Sequence, residues 1–297
     1  MKFKDELRFI LSKAQLKKTI LFSKQDDWEW YIKNTIRNYV PFFYELDEVG
    51  PDRFDLIVPL TLRAAKHLNT HFEYLKGTKA LAPSNETIDL CDNKKDFAEF
   101  LIKNGFPHLI PQINGDGGYP YILRKKIGAW GEGVTVIANA KTELMHMGEI
   151  RSNDFFAQQY IEGREEYTTH LIMHQNRVLF SKTFEFTFGE RLFVKGKNYK
   201  PISTKVVDHS HLNALFEAIL NLLRYEGICC LNYKVQGNRV KLFEINPRYG
   251  GSMTNCLNEA LATYSDIMNN HIDRPLQSVA SQCDLPRILN RSAKPRL

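Results

Sequence analysis

The stretch LFEINPRYGGS, residues 242–252, puts a carboxylate, an amide, a guanidinium and two adjacent glycines straight after a run suited to a buried strand. Just upstream, ICCLNYKV and RVKLFEI read as two strands joined by a QGN turn. Asn232 lies twelve positions before Glu244, so a hairpin turning near Gly237 sets the two opposite each other. Asn246, two residues on, shares the face of Glu244 because side chains alternate along a strand. Three oxygen-bearing side chains thus converge, a set suited to a hard Mg²⁺ ion held with a nucleotide phosphate. Arg248 adds a guanidinium able to meet a phosphate bidentately. Taken alone, an E-x-N-x-R strand end reads more simply as ordinary solvated polar groups.

Two further stretches change that balance. In PYILRKKIGAWGEGV a strand ends at a basic residue, Arg124, and a loop with Gly128, Gly131 and Gly133 follows. Glycines permit close backbone approach, and their amides can cradle phosphate oxygens. A glycine-rich hairpin turn explains the same loop without any ligand. In AQQYIEGREEYT a strand pauses at Glu162-Gly163 and then presents Glu165 and Glu166. Such a linker can offer backbone groups to a purine edge and a carboxylate to ribose hydroxyls, or it can be an exposed acidic turn.

The rest of the chain supplies the frame. The run KTILFS, the helical spacing of WEWYIKNTIRNYV, then FFYEL, FDLIVPLT, LRAAKHLNTHFEYLKG and ALAPS give a βαβαβ rhythm over residues 1–85. That rhythm predicts a parallel sheet. No G-x-G-x-x-G follows its first strand, so dinucleotide binding there is not expected. NKKDFAEFLIKNG and LNALFEAILNLLRYEG predict amphipathic helices, each stopped by a glycine. EEYTTHLIMHQNRVLFSKTFEF predicts a hairpin turning near residues 174–176.

Composition excludes some classes. Across 297 residues, 43% are hydrophobic and 25% charged, ordinary for a soluble protein. No apolar run approaches a membrane span, and the basic N-terminus lacks a cleavage-like site, so neither a membrane partner nor a signal peptide is expected. The cysteines at 91, 229, 230, 256 and 283 are odd in number and form no C-x-x-C, which predicts reduced thiols in a cytoplasmic protein. The net charge of +6, partly in PRILNRSAKPRL and LRKK, suits anionic partners such as nucleotides. Without a recognised binding motif it does not indicate nucleic acid.

Together, in this order, the motifs resemble the ATP-grasp superfamily, and within it the carbamoyl-phosphate-synthetase-like branch of carboxylate-amine ligases. The resemblance covers roughly residues 85–260. It implies an α/β chain with α+β lobes: a Rossmann-like preceding domain at 1–85, an N-lobe with a glycine-loop lid at 86–157, and a metal-binding C-lobe at 158–297. It implies ATP and Mg²⁺, with Mn²⁺ as a substitute. Lys94 on the opening helix would be a basic ATP contact. Arg124 stands where most ligases carry lysine, with Lys125 or Lys126 as substitutes, and Gly131 belongs to the lid. Gln159, Tyr160 and Ile161 would form the adenine linker, with Glu166 on the ribose and Glu165 as its competitor. Glu244, Asn246 and Asn232 would bind metal, with Phe243 an apolar floor beneath the base. Asn232 stands where many members have an acid, and His170 where many carry a second acid. Arg248 would hold the acyl phosphate or carboxylate, with Gly251 and Ser252 following on a loop beside the acceptor pocket. Lys182 and Arg191 lie where a strand and a loop could reach phosphates, though an ordinary solvated face explains both more simply, and Trp130 at the lid tip either packs over substrate or folds the hairpin.

The implied reaction joins a small-molecule carboxylate to an amine through an acyl phosphate. The alternatives are a phosphotransferase acting on a small molecule or carbamate, a non-catalytic nucleotide-binding module, and a basic nucleic-acid-binding protein. A homodimer is left open.

Overall fold

The computed structural model describes residues 1–114, 118–128, 131–196, 199–237 and 239–271. Trp130, Cys283 and the PRILNRSAKPRL tail lie outside the described residues. The chain opens with helix α1 (Phe3–Ala14), which leads into β1 (Lys18–Phe22), α2 (Asp26–Thr35), β2 (Tyr39–Phe43), β3 (Leu56–Val58) and α3 (Leu62–His71). β1 is flanked by β2 and β3, parallel to both, so the first sheet has the order β2-β1-β3. Its strands are apolar on both faces because helices cover both sides.

The edges of this unit differ from the sequence expectation for identifiable reasons. The helix expected over 28–40 ends at Thr35, and Asn38 takes a left-handed conformation (φ 63°) that releases the chain into β2. ALAPS forms no strand. The Leu81 amide donates to the Tyr264 hydroxyl at 2.6 Å instead of to a neighbouring strand, and Pro83 has no amide to give. Elements that the sequence reading did not announce are also present: α1, α4 (Asn85–Asp92), two short helices between residues 140 and 150, and a short edge strand, β9 (Ser203–Val207).

α4 and α5 (Lys94–Lys103) start on side-chain caps. Ser84 accepts from the Thr87 amide, and Asn93 accepts from those of Lys95 and Asp96. The second sheet is antiparallel, β5-β4-β6, built from β4 (Tyr121–Lys125), β5 (Val134–Ile137) and, after the small helices α6 (Ala140–Met145) and α7 (Met147–Ile150), β6 (Phe155–Gln159). The third is a five-stranded antiparallel sheet, β11-β10-β7-β8-β9. β7 (Glu165–His174) and β8 (Arg177–Thr187) are joined through Gln175 and Asn176, both at positive φ, as a two-residue hairpin of matching twist requires. After α8 (Asn213–Leu222), β10 (Gly227–Gln236) and β11 (Arg239–Asn246) close the sheet, and α9 (Leu257–His271) ends the described chain.

One core joins the first sheet to this third one. Ile20, Phe22 and Val58 pack with Ile172, Tyr249 and Leu261. Tyr264 on α9 ties them further, its hydroxyl donating to the Ile57 carbonyl at 2.9 Å. A separate core under α5 and α8 backs the other face of the five-stranded sheet, through Phe97, Phe216 and Leu231. Among the described residues no helix is long and apolar enough to cross a membrane. The four described cysteines are free and buried.

Candidate functional site

The β10–β11 ladder places Asn232 opposite Glu244, the register read from the sequence. The ladder then slips by one residue, pairing Tyr233 with Leu242, so Phe243 bulges out of the pairing beside the carboxylate. Asn232 and Asn246 each donate an amide N–H to Glu244 Oε1, at 2.9 and 3.0 Å. From the facing sheet, Arg124 at the end of β4 donates to Glu244 Oε2 at 2.9 Å, to the Phe243 carbonyl at 3.3 Å and to Gln158 at 3.2 Å. This contact spans the seam between the second and third sheets.

A cavity of about 390 Å³ opens along that seam. Its walls include Lys94, Arg124, Gly131, Gln159, Tyr160, Ile161, Glu166, Asn232, Phe243, Glu244, Asn246 and Arg248, so these residues anticipated from sequence meet in one place. Lys126 is not on the wall, whereas its neighbour Lys125 is. β4 stops at Lys125, and the Lys126 backbone is held elsewhere: its amide donates to the Asp154 carbonyl and its carbonyl accepts from the Lys94 amide, both at 2.8 Å. Lys94 is buried at the start of α5, and its ammonium donates to the Gly128 carbonyl at 2.6 Å and the Asp92 carbonyl at 2.9 Å. It therefore anchors the glycine loop as well as facing the cavity.

At the far end, Glu166 is buried and lines the cavity while Glu165 is exposed, which decides between the two neighbouring acids. Lys195 lies 3.6 Å from Glu166 and donates to the Thr168 hydroxyl at 2.5 Å. Thr168 in turn donates to Asn232 Oδ1 at 2.7 Å, so a chain of polar contacts runs between the two ends. Lys234 donates to the carbonyls of Ile161 (2.9 Å) and Gly163 (2.8 Å), clamping the linker. The Ile161 N–H has no partner among the described residues, and Ile161 lines the cavity.

The two carboxylates titrate in opposite directions. Burial pushes Glu244 up, but Arg124, Lys94 and the amides of Asn246 and Asn232 outweigh it and hold the group at about 2. Burial also pushes Glu166 up; Lys195 and Lys234 oppose the rise without cancelling it, and the charge on Glu244 adds to it. His170 is fully buried, and burial, with Lys195 and Arg248 nearby, lowers it to about 3, so it is neutral here. Its Nε2 shares a hydrogen bond of 2.7 Å with Ser252 Oγ. Gly250 allows this packing, since a Cβ there would stand 2.6 Å from His170 Cε1.

Arg248 donates to the Tyr249 carbonyl at 2.8 Å, and its guanidinium lies over the Trp28 ring at 5.6 Å. Lys182 and Arg191 are not on the cavity wall. Lys182 pairs with Glu259 at 2.9 Å, and Arg191 is largely exposed, pairing with Glu162 at 3.5 Å. Lys195, four residues beyond Arg191, is the cation the 188–202 loop delivers, and no sequence periodicity marks it. Lys234 was detectable: it follows Asn232 by two on the same strand and so shares its face.

Glu244, Asn246 and Asn232 form an oxygen-donor set of one carboxylate and two amides, which fits a hard divalent cation once both amides rotate to present Oδ1. No group of three or more His, Cys, Asp or Glu side chains suited to a metal is found among the described residues, because two of these three donors are amides. The ATP-grasp domain matches the sequence over residues 91–252, more than half of the chain.

The chain belongs to the ATP-grasp family.

Solved structures share its fold over most of the chain. D-alanine--D-alanine ligase from Bacillus anthracis superposes with a TM-score of 0.60 at 16% identity, over 86% of this chain and 96% of the other. Biotin carboxylase from Campylobacter jejuni gives 0.56 at 15%, over 91% of this chain and 69% of that one. L-amino acid ligase from Bacillus licheniformis gives 0.51 at 16%, over 80% and 68%. A further structure of the B. anthracis D-alanine--D-alanine ligase is complexed with ATP (TM-score 0.57, 15% identity, 86% and 94% covered). No curated protein sequence matches the chain.

Proposed function

We propose that this ATP-grasp protein is an ATP-dependent ligase that activates a small-molecule carboxylate as an acyl phosphate and joins it to an amine, releasing ADP and phosphate. The observation that carries the reading is the single cavity in which Lys94, Arg124, Glu244, Asn246 and Arg248 meet. Three cations converging with a metal-type oxygen set are what a transferring phosphoryl group needs. The fold shared with three ligases and an ATP complex supports it.

In the reaction, a carboxylate oxygen of the substrate forms a bond to the γ-phosphorus while the bond to the ADP oxygen breaks. The amine nitrogen then bonds to the acyl carbon, the carbon–oxygen bond breaks, phosphate leaves and the amine proton is released. Ile161 N–H would face the adenine edge, Phe243 its ring and Glu166 the ribose hydroxyls. Lys94, Arg124 and Lys195 would surround the phosphates, and Arg248 would align the substrate carboxylate. A Mg²⁺ ion held by Glu244, Asn246 and Asn232 would supply charge neutralisation at the phosphates. The glycine loop, anchored by Lys94 through Gly128, would keep water from the acyl phosphate. No side-chain nucleophile is required; catalysis is positioning and electrostatics.

The test is an endpoint assay with Mg-ATP and pooled carboxylic acids, with and without pooled amines, read by mass spectrometry. ADP, phosphate and a new amide mass, all lost in Glu244→Ala, are expected. ADP with a phosphorylated metabolite and no dependence on amine overturns the ligase reading in favour of a phosphotransferase.

A further inference from the structure

Helix α1 is amphipathic in the inverse sense. Phe9 and Ser12 are its buried residues, and Phe9 packs edge-on against Phe42 and Phe54 at 5.7 and 5.2 Å. At 3.6 residues per turn, Phe3, Leu7, Ile10, Leu11 and Ala14 form one continuous stripe on the opposite side. That stripe faces solvent: Phe3 is 82% exposed, and Leu7, Ile10 and Leu11 are 50–55% exposed. Leu16, just past the helix, is 93% exposed. A surface helix normally hides this face.

The charges around the stripe have one sign. Residues 1–18 carry Lys2, Lys4, Arg8, Lys13, Lys17 and Lys18 against only Asp5 and Glu6. Both acids are occupied, Asp5 by the Tyr44 hydroxyl at 2.5 Å and Glu6 by Arg53 at 2.5 Å. Lys2, Lys4, Lys17 and Lys18 have no ion pair among the described residues. Beside the stripe, between α1 and β2, lies a cavity of about 480 Å³ walled by Lys4, Arg8 and Lys17 together with Leu7, Leu11 and Tyr39, with no carboxylate in its lining. Arg8 is fixed there, donating to the Pro41 carbonyl at 3.2 Å and lying over the Phe42 ring.

From this arrangement we infer that α1 docks the protein on an anionic phospholipid surface, the stripe entering the headgroup–acyl boundary and the basic cavity receiving lipid phosphates. An apolar helix face rimmed by lysines is the form that interfacial helices take. Charge complementarity argues against a second copy, since a two-fold contact would bring two basic rims together. The stripe is also about 18 Å long and one helix wide, small beside the roughly 800 Å² that each partner contributes to a specific protein interface. The inference revises the sequence expectation of no membrane partner. It is independent of the reaction proposed above.

The test is co-sedimentation of the full chain with vesicles of phosphatidylcholine alone and of phosphatidylcholine containing phosphatidylglycerol, at low and high salt. The expected result is retention on the anionic vesicles at least about tenfold above the neutral ones, weakened by salt. Leu7→Ser with Leu11→Ser, and separately Lys4→Glu with Lys17→Glu, should each abolish it while thermal melts stay as in the native protein. Should the leucine variant fail to fold, the lysine variant decides alone. Equal binding to neutral vesicles, no binding to either, or binding unaffected by the lysine substitutions overturns the inference. So does displacement by millimolar inorganic phosphate, which would assign the cavity to a free anion. A dimer mass by light scattering that Leu7→Ser dissolves would assign the stripe to a second copy.

Discussion

Glu244 and Glu166 are two buried carboxylates on one cavity, and they titrate in opposite directions. Burial is common to both and raises both. The difference is contact. Glu244 has Arg124 at 2.9 Å and two amide N–H groups on its other oxygen, whereas the nearest cation to Glu166 stands 3.6 Å away. A buried carboxylate thus keeps its charge through direct hydrogen bonds, and cations merely in the neighbourhood do not suffice. The Glu244 end therefore favours a charged carboxylate, and the Glu166 end disfavours one.

The largest effect should come from breaking the Glu244 end. Glu244→Ala leaves the Arg124 guanidinium, 9% exposed, without its carboxylate. Losing one partner of such a pair costs about 3–5 kcal/mol of stability. ADP release should fall by about 10²–10³-fold or more, as when a preorganised charge-stabilising group is removed. Thermal melting and an ADP assay check both. Glu166→Gln should melt at or above the native protein at neutral pH and weaken nucleotide binding; equal destabilisation by the two substitutions would refute the comparison.

Next in size is the close approach of Gly131 to the backbone of Lys195 and Gly196. Gly131 has φ 73°, and a Cβ there would stand 2.8 Å from the Lys195 carbonyl, a backbone atom that cannot step aside alone. Gly131→Ala should add about 1–2 kcal/mol of backbone strain and push the glycine loop away from Lys195, weakening ATP binding by about tenfold. Calorimetric titration with ATP measures it. Gly237→Ala carries a similar φ of 59° with nothing within 4 Å, so it should leave ATP affinity unchanged.

pH sharpens the contrast at smaller amplitude. Glu244, held at about 2 against an ordinary 4.5, contributes stability that is full above 4.5 and lost as pH falls toward 2. Glu166 is raised, so its contribution is full below 4.5 and lost as pH climbs through its folded value. Melts of Glu166→Gln should therefore gain on the native protein from pH 4.5 toward neutrality, while those of Glu244→Gln should approach it in acid. His170, neutral down to about 3 where a free imidazole protonates near 6.5, makes the native protein lose stability as pH falls through that window. His170→Gln should flatten that part of the acid limb.

The same contrast separates what the sequence reveals from what it hides. The register of Asn232 and Glu244, the shared face of Asn246 and the glycine loop all follow from local rules, a two-residue period and the freedom of glycine, so they were legible. The βαβαβ rhythm likewise returned as the parallel β2-β1-β3 sheet. Lys126, offered with Lys125 as a substitute for Arg124, lies past the end of β4 and off the cavity wall, a position that the resemblance alone does not fix. Lys195 was invisible because it lies outside any strand or helix, with no period from which its side chain's direction can be read. The helical period of α1 is present in the sequence, but that its apolar face is the exposed one is not, because exposure is set by the sheet it packs against.

The smallest predicted effects belong to the cations that the sequence suggested and the fold sends elsewhere. Lys182 spends its ammonium on Glu259, and Arg191 meets Glu162 in open solvent; such exposed pairs contribute about 0–1 kcal/mol. Lys182→Ala and Arg191→Ala should therefore leave ADP release within about twofold of the native rate, a change below 0.5 kcal/mol. Lys195→Ala, in the same loop as Arg191, removes the cation nearest Glu166 and frees the Thr168 hydroxyl that orients Asn232. Its effect should reach both ends of the cavity, weakening ATP binding and slowing ADP release together. Parallel assays of the three alanine variants decide the matter. A Lys195→Ala enzyme as active as Lys182→Ala would mean that the Glu166 end keeps its character through burial alone, with no part played by the loop.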